Sequence, residues 1–200
     1  MKRYIAFVAT TLLLLFTSAV AAAEESEAFQ GSIYPVPELT PVDSELLVQV
    51  GDPMPDFSLP AIDGSTVSLG DFAGKQNFVL SFIPAAWTPV CSGQWPGYNI
   101  AEDLFAANNT ALIGVSVDNI PTLYAWVEQM GGLWFPVVSD FWPHGELAEK
   151  LGILRSEGET ERALFLVDSQ GIIRYIDVHD INTRPDLGEL IQAMQSLNAE

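Results

Sequence analysis

Cys91 is the single cysteine among 200 residues, and a thiol can act as a nucleophile or as a redox group. It lies in the segment PAAWTPVC, which places Pro84 and Thr88 seven and three residues before it. Thr88 followed by Pro89 predicts a helix start, because a threonine hydroxyl can accept a first-turn amide hydrogen bond and proline needs no donor there. Cys91 would then be the third helical residue, where the positive end of the helix dipole favours a thiolate. The alternative is a buried, unreactive cysteine.

The hydrophobic pattern predicts that strands and helices alternate around this segment. An apolar run before Pro84 is typical of a strand buried on both faces, and Pro96 predicts a kink or a break in the helix after Cys91. The last two strands, separated by DSQG, form a hairpin. The fold class is therefore α/β with a mixed central sheet. The predicted strands are 77–83, 110–117, 135–138, 162–167 and 172–178, with two short ones around 63–64, and the predicted helices are 89–108, 121–130, 145–151 and 185–197.

The first 48 residues differ from the rest of the chain. Residues 1–23 combine a basic start, an apolar stretch and small-residue cleavage sites, which predicts a secretory signal peptide and a secreted or periplasmic protein with no membrane attachment after cleavage. Residues 24–48 are acidic and proline-containing, which is typical of a linker or an extended N-terminal arm. Residues 49–200 would form one domain.

The charge balance restricts the partners. The formal net charge is −18, and removal of Lys2 and Arg3 with the signal peptide would make it −20. Such a surface disfavours nucleic acid as a partner and favours solubility.

The segment around Cys91 resembles the active-site motif of peroxiredoxins, Pro-x-x-x-Thr-x-x-Cys, preceded by a buried strand. The resemblance extends from about residue 48 to 198 and is to the alkyl hydroperoxide reductase and thiol-specific antioxidant branch. It implies a thioredoxin-like fold of the peroxiredoxin type and thiol-dependent reduction of peroxides. The other matching blocks are GDPMPDF at 51–57, DG at 63–64, VSVD at 115–118, SD at 139–140 and RALFLVD at 162–168.

The resemblance also implies four catalytic residues. Cys91 corresponds to the peroxidatic nucleophile, and Thr88 to the residue that hydrogen-bonds the thiolate and the peroxide. Pro84 would shield the sulfur from water, and Arg162 would pair with the thiolate. Gln94 occupies a position where many members of the family have a glutamate that contacts this arginine.

The absence of a second cysteine from the sequence predicts a one-cysteine peroxiredoxin. Its substrates would be hydrogen peroxide and organic hydroperoxides, and an external thiol of unknown identity would reduce the Cys91 sulfenic acid. The resemblance also implies a homodimer. The alternative function is an exported redox sensor or chaperone of the same fold without turnover. A disulfide reductase would need a Cys-x-x-Cys pair, which CSGQ lacks.

Neither a metal nor a cofactor is predicted. His144 and His179 are the only histidines, and they lack the spacing of a metal-ligand set. Both are expected to be structural or exposed to solvent.

Overall fold

The strand that precedes Cys91 lies at the centre of the main sheet. The computed structural model describes residues 31–198; the predicted signal peptide lies outside this range. The described residues form seven strands, β1 (Ser58–Pro60), β2 (Thr66–Ser68), β3 (Asn77–Phe82), β4 (Thr110–Ser116), β5 (Val137–Ser139), β6 (Arg162–Val167) and β7 (Ile173–His179). They also form five α-helices, α1 (Cys91–Asn99), α2 (Glu102–Ala107), α3 (Ile120–Gln129), α4 (Glu146–Leu151) and α5 (Leu187–Leu197).

The main sheet has five strands in the order β5-β4-β3-β6-β7. β3, β4 and β5 run parallel, whereas β6 is antiparallel to both β3 and β7. The predicted mixed sheet and the late hairpin are therefore confirmed. Every residue of β3 and β6 is buried, because helices or loops cover both faces of the sheet at its centre.

Two hydrophobic clusters lie on opposite faces of the sheet. Side chains of α1, α2, α3 and α5 pack on one face, and α4 and the β1–β2 hairpin pack on the other. Alternation along β6 divides its residues between them, with Leu164 and Leu166 in the first cluster and Phe165 in the second. Because Arg162 is in step with Leu164, its side chain lies on the face that α1 covers.

The start of α1 differs from the sequence prediction. Cys91 is the first residue of the helix and not the third. The Thr88 hydroxyl does not cap the helix, since the residue before α1 is Val90 and no side chain accepts a first-turn amide; this hydroxyl donates to the carbonyl of Ala85 at 2.9 Å. The Thr88 carbonyl accepts the Ser92 N–H at 3.0 Å, so helical hydrogen bonding begins with a backbone group.

Pro96 does not end α1, which continues to Asn99. The break comes at Ile100 and Ala101, after which α2 begins. The second helical segment was predicted, but its boundary lies further along the chain, because a proline inside a helix removes one hydrogen bond without preventing the next turn when the helix is packed on a core.

Residues 31–50 form no helix or strand and extend along the domain. Backbone hydrogen bonds join Leu47 to Leu151 and Gly51 to Ile173, and the Asp43 carboxylate accepts from both the amide and the hydroxyl of Ser156. This part of the arm is thus held against the domain. Within residues 31–198 no helix is long and apolar enough to cross a bilayer.

Candidate active site

Cys91 lies at the end of the loop that joins β3 to α1. The chain leaves β3 at Phe82, turns at Pro84 and enters α1 at Cys91, whose residue surface is completely buried. Trp95 in α1 fixes the helix to the sheet: its indole N–H donates to the Ser81 hydroxyl at 3.2 Å, and its ring covers Gly114 of β4. A Cβ at Gly114 would lie 2.8 Å from the ring, so this close approach requires glycine.

Arg162 reaches the sulfur from the neighbouring strand. The antiparallel register pairs Phe82 with Ala163, so the last residues of β3 and the first residues of β6 lie at the same end of the sheet. The Arg162 Nη2 atom lies 3.4 Å from the Cys91 Sγ atom. The two residues are 71 positions apart in the sequence, and the structure brings them together as the resemblance implied.

The guanidinium of Arg162 is buried and forms no salt bridge among the described residues. Only 2% of the residue is exposed, and no Asp or Glu oxygen among residues 31–198 lies within 4.0 Å of its nitrogen atoms. Its Nε and Nη2 atoms donate to the Ile181 carbonyl at 3.3 and 3.0 Å, and Nη1 donates to the Gln94 Oε1 atom at 2.6 Å. A buried cation with only neutral acceptors favours an anion beside it, and the sulfur is the group in that place.

Gln94 is held in one orientation by hydroxyl groups. Its Nε2 atom donates to Ser81 at 3.2 Å and to the hydroxyl of Tyr98 at 3.3 Å, which leaves Oε1 facing Arg162. Burial raises the pKa of Tyr98, so this hydroxyl stays neutral at physiological pH. Sequence reasoning singled out Gln94 but missed Ser81 and Tyr98, which look like ordinary core positions in the sequence.

Pro84, Thr88 and Arg162 line one cavity of about 310 Å³. The Thr88 hydroxyl donates to Ala85, so its lone pairs remain available to a peroxide O–H. Among the described contacts it makes no hydrogen bond to Cys91, and the predicted roles of Thr88 and Pro84 stay predictions. Residues 36–39 of the arm form another part of the cavity wall, which nothing in the sequence indicated.

The loop from Pro84 to Val90 is fixed from two sides. The Asp118 Oδ2 atom accepts the Ala86 N–H at 2.7 Å and the Ser116 hydroxyl at 2.7 Å, and the buried Thr160 hydroxyl donates to the Ile83 carbonyl at 2.9 Å. The sequence did not identify these positioning residues. Ser116 and Asp118 belong to the VSVD block that resembles the peroxiredoxin family, and this was the only signal that pointed to them.

The histidines lie in ordinary polar contacts. His144 Nε2 is 2.7 Å from the Gly158 carbonyl oxygen, and His179 contacts Asp177 and the Thr183 hydroxyl. Across residues 31–198 no three His, Cys, Asp or Glu side chains are grouped so that they could hold a metal ion.

The sequence is similar to those of known peroxide-reducing proteins. The model of the AhpC/TSA family matches residues 50–176. Alkyl hydroperoxide reductase E of Mycobacterium tuberculosis is 34% identical over 133 residues, which cover 66% of this chain and 86% of the relative. A peroxiredoxin of Methanocaldococcus jannaschii is 33% identical over 157 residues, covering 74% and 71% of the two chains.

Solved structures of peroxiredoxins have the same fold as this chain. The reduced 2-Cys peroxiredoxin of Plasmodium vivax superposes with a TM-score of 0.70 at 27% identity, covering 75% of this chain and 82% of that one. AhpC of Mycobacterium tuberculosis has a TM-score of 0.70 at 22% identity, covering 76% and 94%, and supports the fold alone. The thioredoxin-like fold of the peroxiredoxin type is thereby confirmed. The chain belongs to the AhpC/TSA family and is a thiol-dependent peroxidase of the peroxiredoxin class.

Proposed function

We propose that this protein is an exported one-cysteine peroxiredoxin that reduces hydrogen peroxide and organic hydroperoxides at Cys91. The observation that supports this most directly is the 3.4 Å contact between Arg162 Nη2 and Cys91 Sγ, made by a buried guanidinium that forms no salt bridge with a carboxylate of the described residues. Such a site stabilises a thiolate, the nucleophilic form of cysteine.

The first step is attack of the Cys91 thiolate on the terminal oxygen of the hydroperoxide. An S–O bond forms while the O–O bond breaks, the sulfur loses two electrons, and the departing oxygen takes a proton to leave as water or an alcohol. Thr88 and Arg162 line the cavity through which the peroxide would enter. The Thr88 hydroxyl would accept the peroxide O–H and orient the substrate, whereas the Arg162 N–H groups would stabilise the negative charge that moves onto the departing oxygen in the transition state.

The second step requires another molecule. The Plasmodium vivax structure is of a 2-Cys peroxiredoxin, whereas the present sequence has one cysteine. An external thiol would therefore attack the Cys91 sulfenic acid, releasing water and forming a mixed disulfide. A second thiol would displace Cys91 from it, returning the thiolate and releasing the oxidised reductant as a disulfide.

Export is proposed from the basic, apolar and small-residue pattern of residues 1–23. A homodimer is proposed from the family resemblance. Fractionation of cells that express the full chain, followed by sedimentation velocity of the mature protein, tests both proposals; a cytosolic full-length product or a monomer would contradict them.

The catalytic proposal is tested by peroxide consumption with a small thiol in excess. The wild-type protein is expected to consume many equivalents of peroxide, and Cys91→Ser is expected to consume none. Activity that persists in purified Cys91→Ser would refute the assignment of Cys91. A wild-type protein that stops after about one equivalent, with abundant thiol present, would instead favour the sensor without turnover.

A further inference from the structure

Residues 34–39, here named the strap, cross the active-site cavity and are attached at both ends. The Tyr34 N–H donates to the Trp87 carbonyl at 2.7 Å, next to Thr88. At the other end the Leu39 N–H donates to Asn182 Oδ1 and the Leu39 carbonyl accepts from Asn182 Nδ2, both at 2.9 Å. Pro35 and Pro37 stiffen the segment between these attachments. The strap lies outside residues 50–176, which the family model matches.

The strap forms an apolar wall of the cavity. Val36, Pro37 and Leu39 line it together with the apolar side chains of Val90 and Ile181. The cavity, about 310 Å³, falls in the range of ~300–1,000 Å³ that is typical of small-molecule sites. A hydrogen peroxide molecule is two oxygen atoms and would leave most of this space unused. With the peroxide group beside Arg162, an organic substituent would lie against the strap.

The charges around the cavity restrict that substituent. Glu38 of the strap and Glu159 line the cavity, and the single cationic residue among its lining residues is Arg162. Arg162 already donates to Gln94 and Ile181, so it is not available to hold a distant carboxylate. The net charge of the whole chain, −18, adds to the repulsion of anions.

We propose that the strap selects uncharged organic hydroperoxides with an apolar substituent and discriminates against anionic ones. This inference rests on the proposed peroxidase function. It assigns the substrate specificity of the peroxidase to Val36, Leu39 and Glu38. The apolar side chains contact the substituent, and the glutamate disfavours a negative charge on it.

The test compares second-order rate constants of Cys91 oxidation by three probes: hydrogen peroxide, cumene hydroperoxide and para-carboxy-cumene hydroperoxide. In Val36→Ser/Leu39→Ser, the ratio of the cumene hydroperoxide rate to the hydrogen peroxide rate is expected to fall about tenfold. In Glu38→Gln, the ratio of the carboxylated to the neutral cumene hydroperoxide rate is expected to rise about threefold at low salt and less at high salt.

Matched controls come from the same arm outside the cavity lining. Val42, which is 41% exposed, and Glu45 are replaced in Val42→Ser and Glu45→Gln, and both rate ratios should stay at the wild-type values. Unchanged ratios in the strap variants, or equal slowing with all three probes, would overturn the specificity proposal and leave the peroxidase assignment intact. A wild-type protein oxidised by none of the probes would overturn both.

Discussion

Arg162→Met is expected to slow oxidation of Cys91 by about 10²–10³-fold, because it removes the cation that contacts the sulfur while preserving most of the side-chain volume. At the observed 3.4 Å, a full positive and a full negative charge interact by about 5 kcal/mol at an effective dielectric constant of ~20. This is an upper limit, because the guanidinium charge is spread over a planar group. Loss of one preorganised donor at a reacting centre typically raises the barrier by ~2.7–4 kcal/mol, which gives the expected range.

The assay is stopped-flow oxidation of Cys91 by hydrogen peroxide, with mass spectrometry to identify the sulfenic acid. Arg162→Lys is the matched control, because it keeps the charge but cannot reach the sulfur, Gln94 and Ile181 together. We expect its rate to lie between those of the wild type and Arg162→Met.

The substitution also leaves the Ile181 carbonyl and the Gln94 Oε1 atom without their donor. This should reduce the free energy of unfolding by ~1–3 kcal/mol, and urea denaturation must show that the variant is folded. A folded Arg162→Met protein that reacts within about threefold of the wild type would refute the electrostatic account of the site.

Three other outcomes can be measured independently. Thr88→Val should oxidise ~10-fold or more slowly than Thr88→Ser in the same stopped-flow assay, because valine cannot accept a hydrogen bond from the peroxide; equal rates would exclude the hydroxyl from catalysis. Glu161→Gln should lower the free energy of unfolding in urea by ~3–5 kcal/mol, since it breaks the 2.7 Å pair between two buried side chains, Glu161 and Arg155; a change below 1 kcal/mol would contradict this. The hydroxyl of Ser156, and to a smaller extent its amide, donate hydrogen bonds that lower the pKa of Asp43 from its ordinary 3.8. The ionised Asp43 therefore helps to hold the arm above pH 3.8, and this contribution is lost as the pH falls through the lowered pKa. The protection of the arm's amides, which is the exchange rate of unstructured peptides relative to theirs at the same pH, should therefore fall below pH 3.8, and Asp43→Asn should remove this step.

The sequence pattern predicted the elements near the site well. The apolar runs that became β3 and β6 allowed no other secondary structure of that length, and Arg162 was placed at the first residue of its strand. The link between Arg162 and Cys91, however, came from the family resemblance. No local pattern specifies that β3 and β6 are antiparallel neighbours. This pairing is what brings the end of β3 and the start of β6 to the same end of the sheet.

The details that were wrong or missing depend on tertiary contacts. The helix was expected to start at Thr88, but the hydroxyl of this residue donates to Ala85, within the loop, and does not accept an amide hydrogen bond. The strap has no hydrophobic period, so its position over the cavity could not be read from the sequence. The buried partners of Gln94 were missed because Ser81 lies between apolar residues of a strand, and because the spacing of Tyr98 indicated only that it faces the core.

Glu161 and Arg162 are adjacent in the chain, yet their charges serve separate purposes. The carboxylate pairs with Arg155, while the guanidinium lies beside the sulfur. A shift of β6 by a single residue against β3, in the direction that places Glu161 where Arg162 lies, would bring a negative group to Cys91, where it would oppose a thiolate. Correct alignment of these strands during folding is thus itself a requirement for reactivity. A misaligned molecule with an intact Cys91 would not react with peroxide.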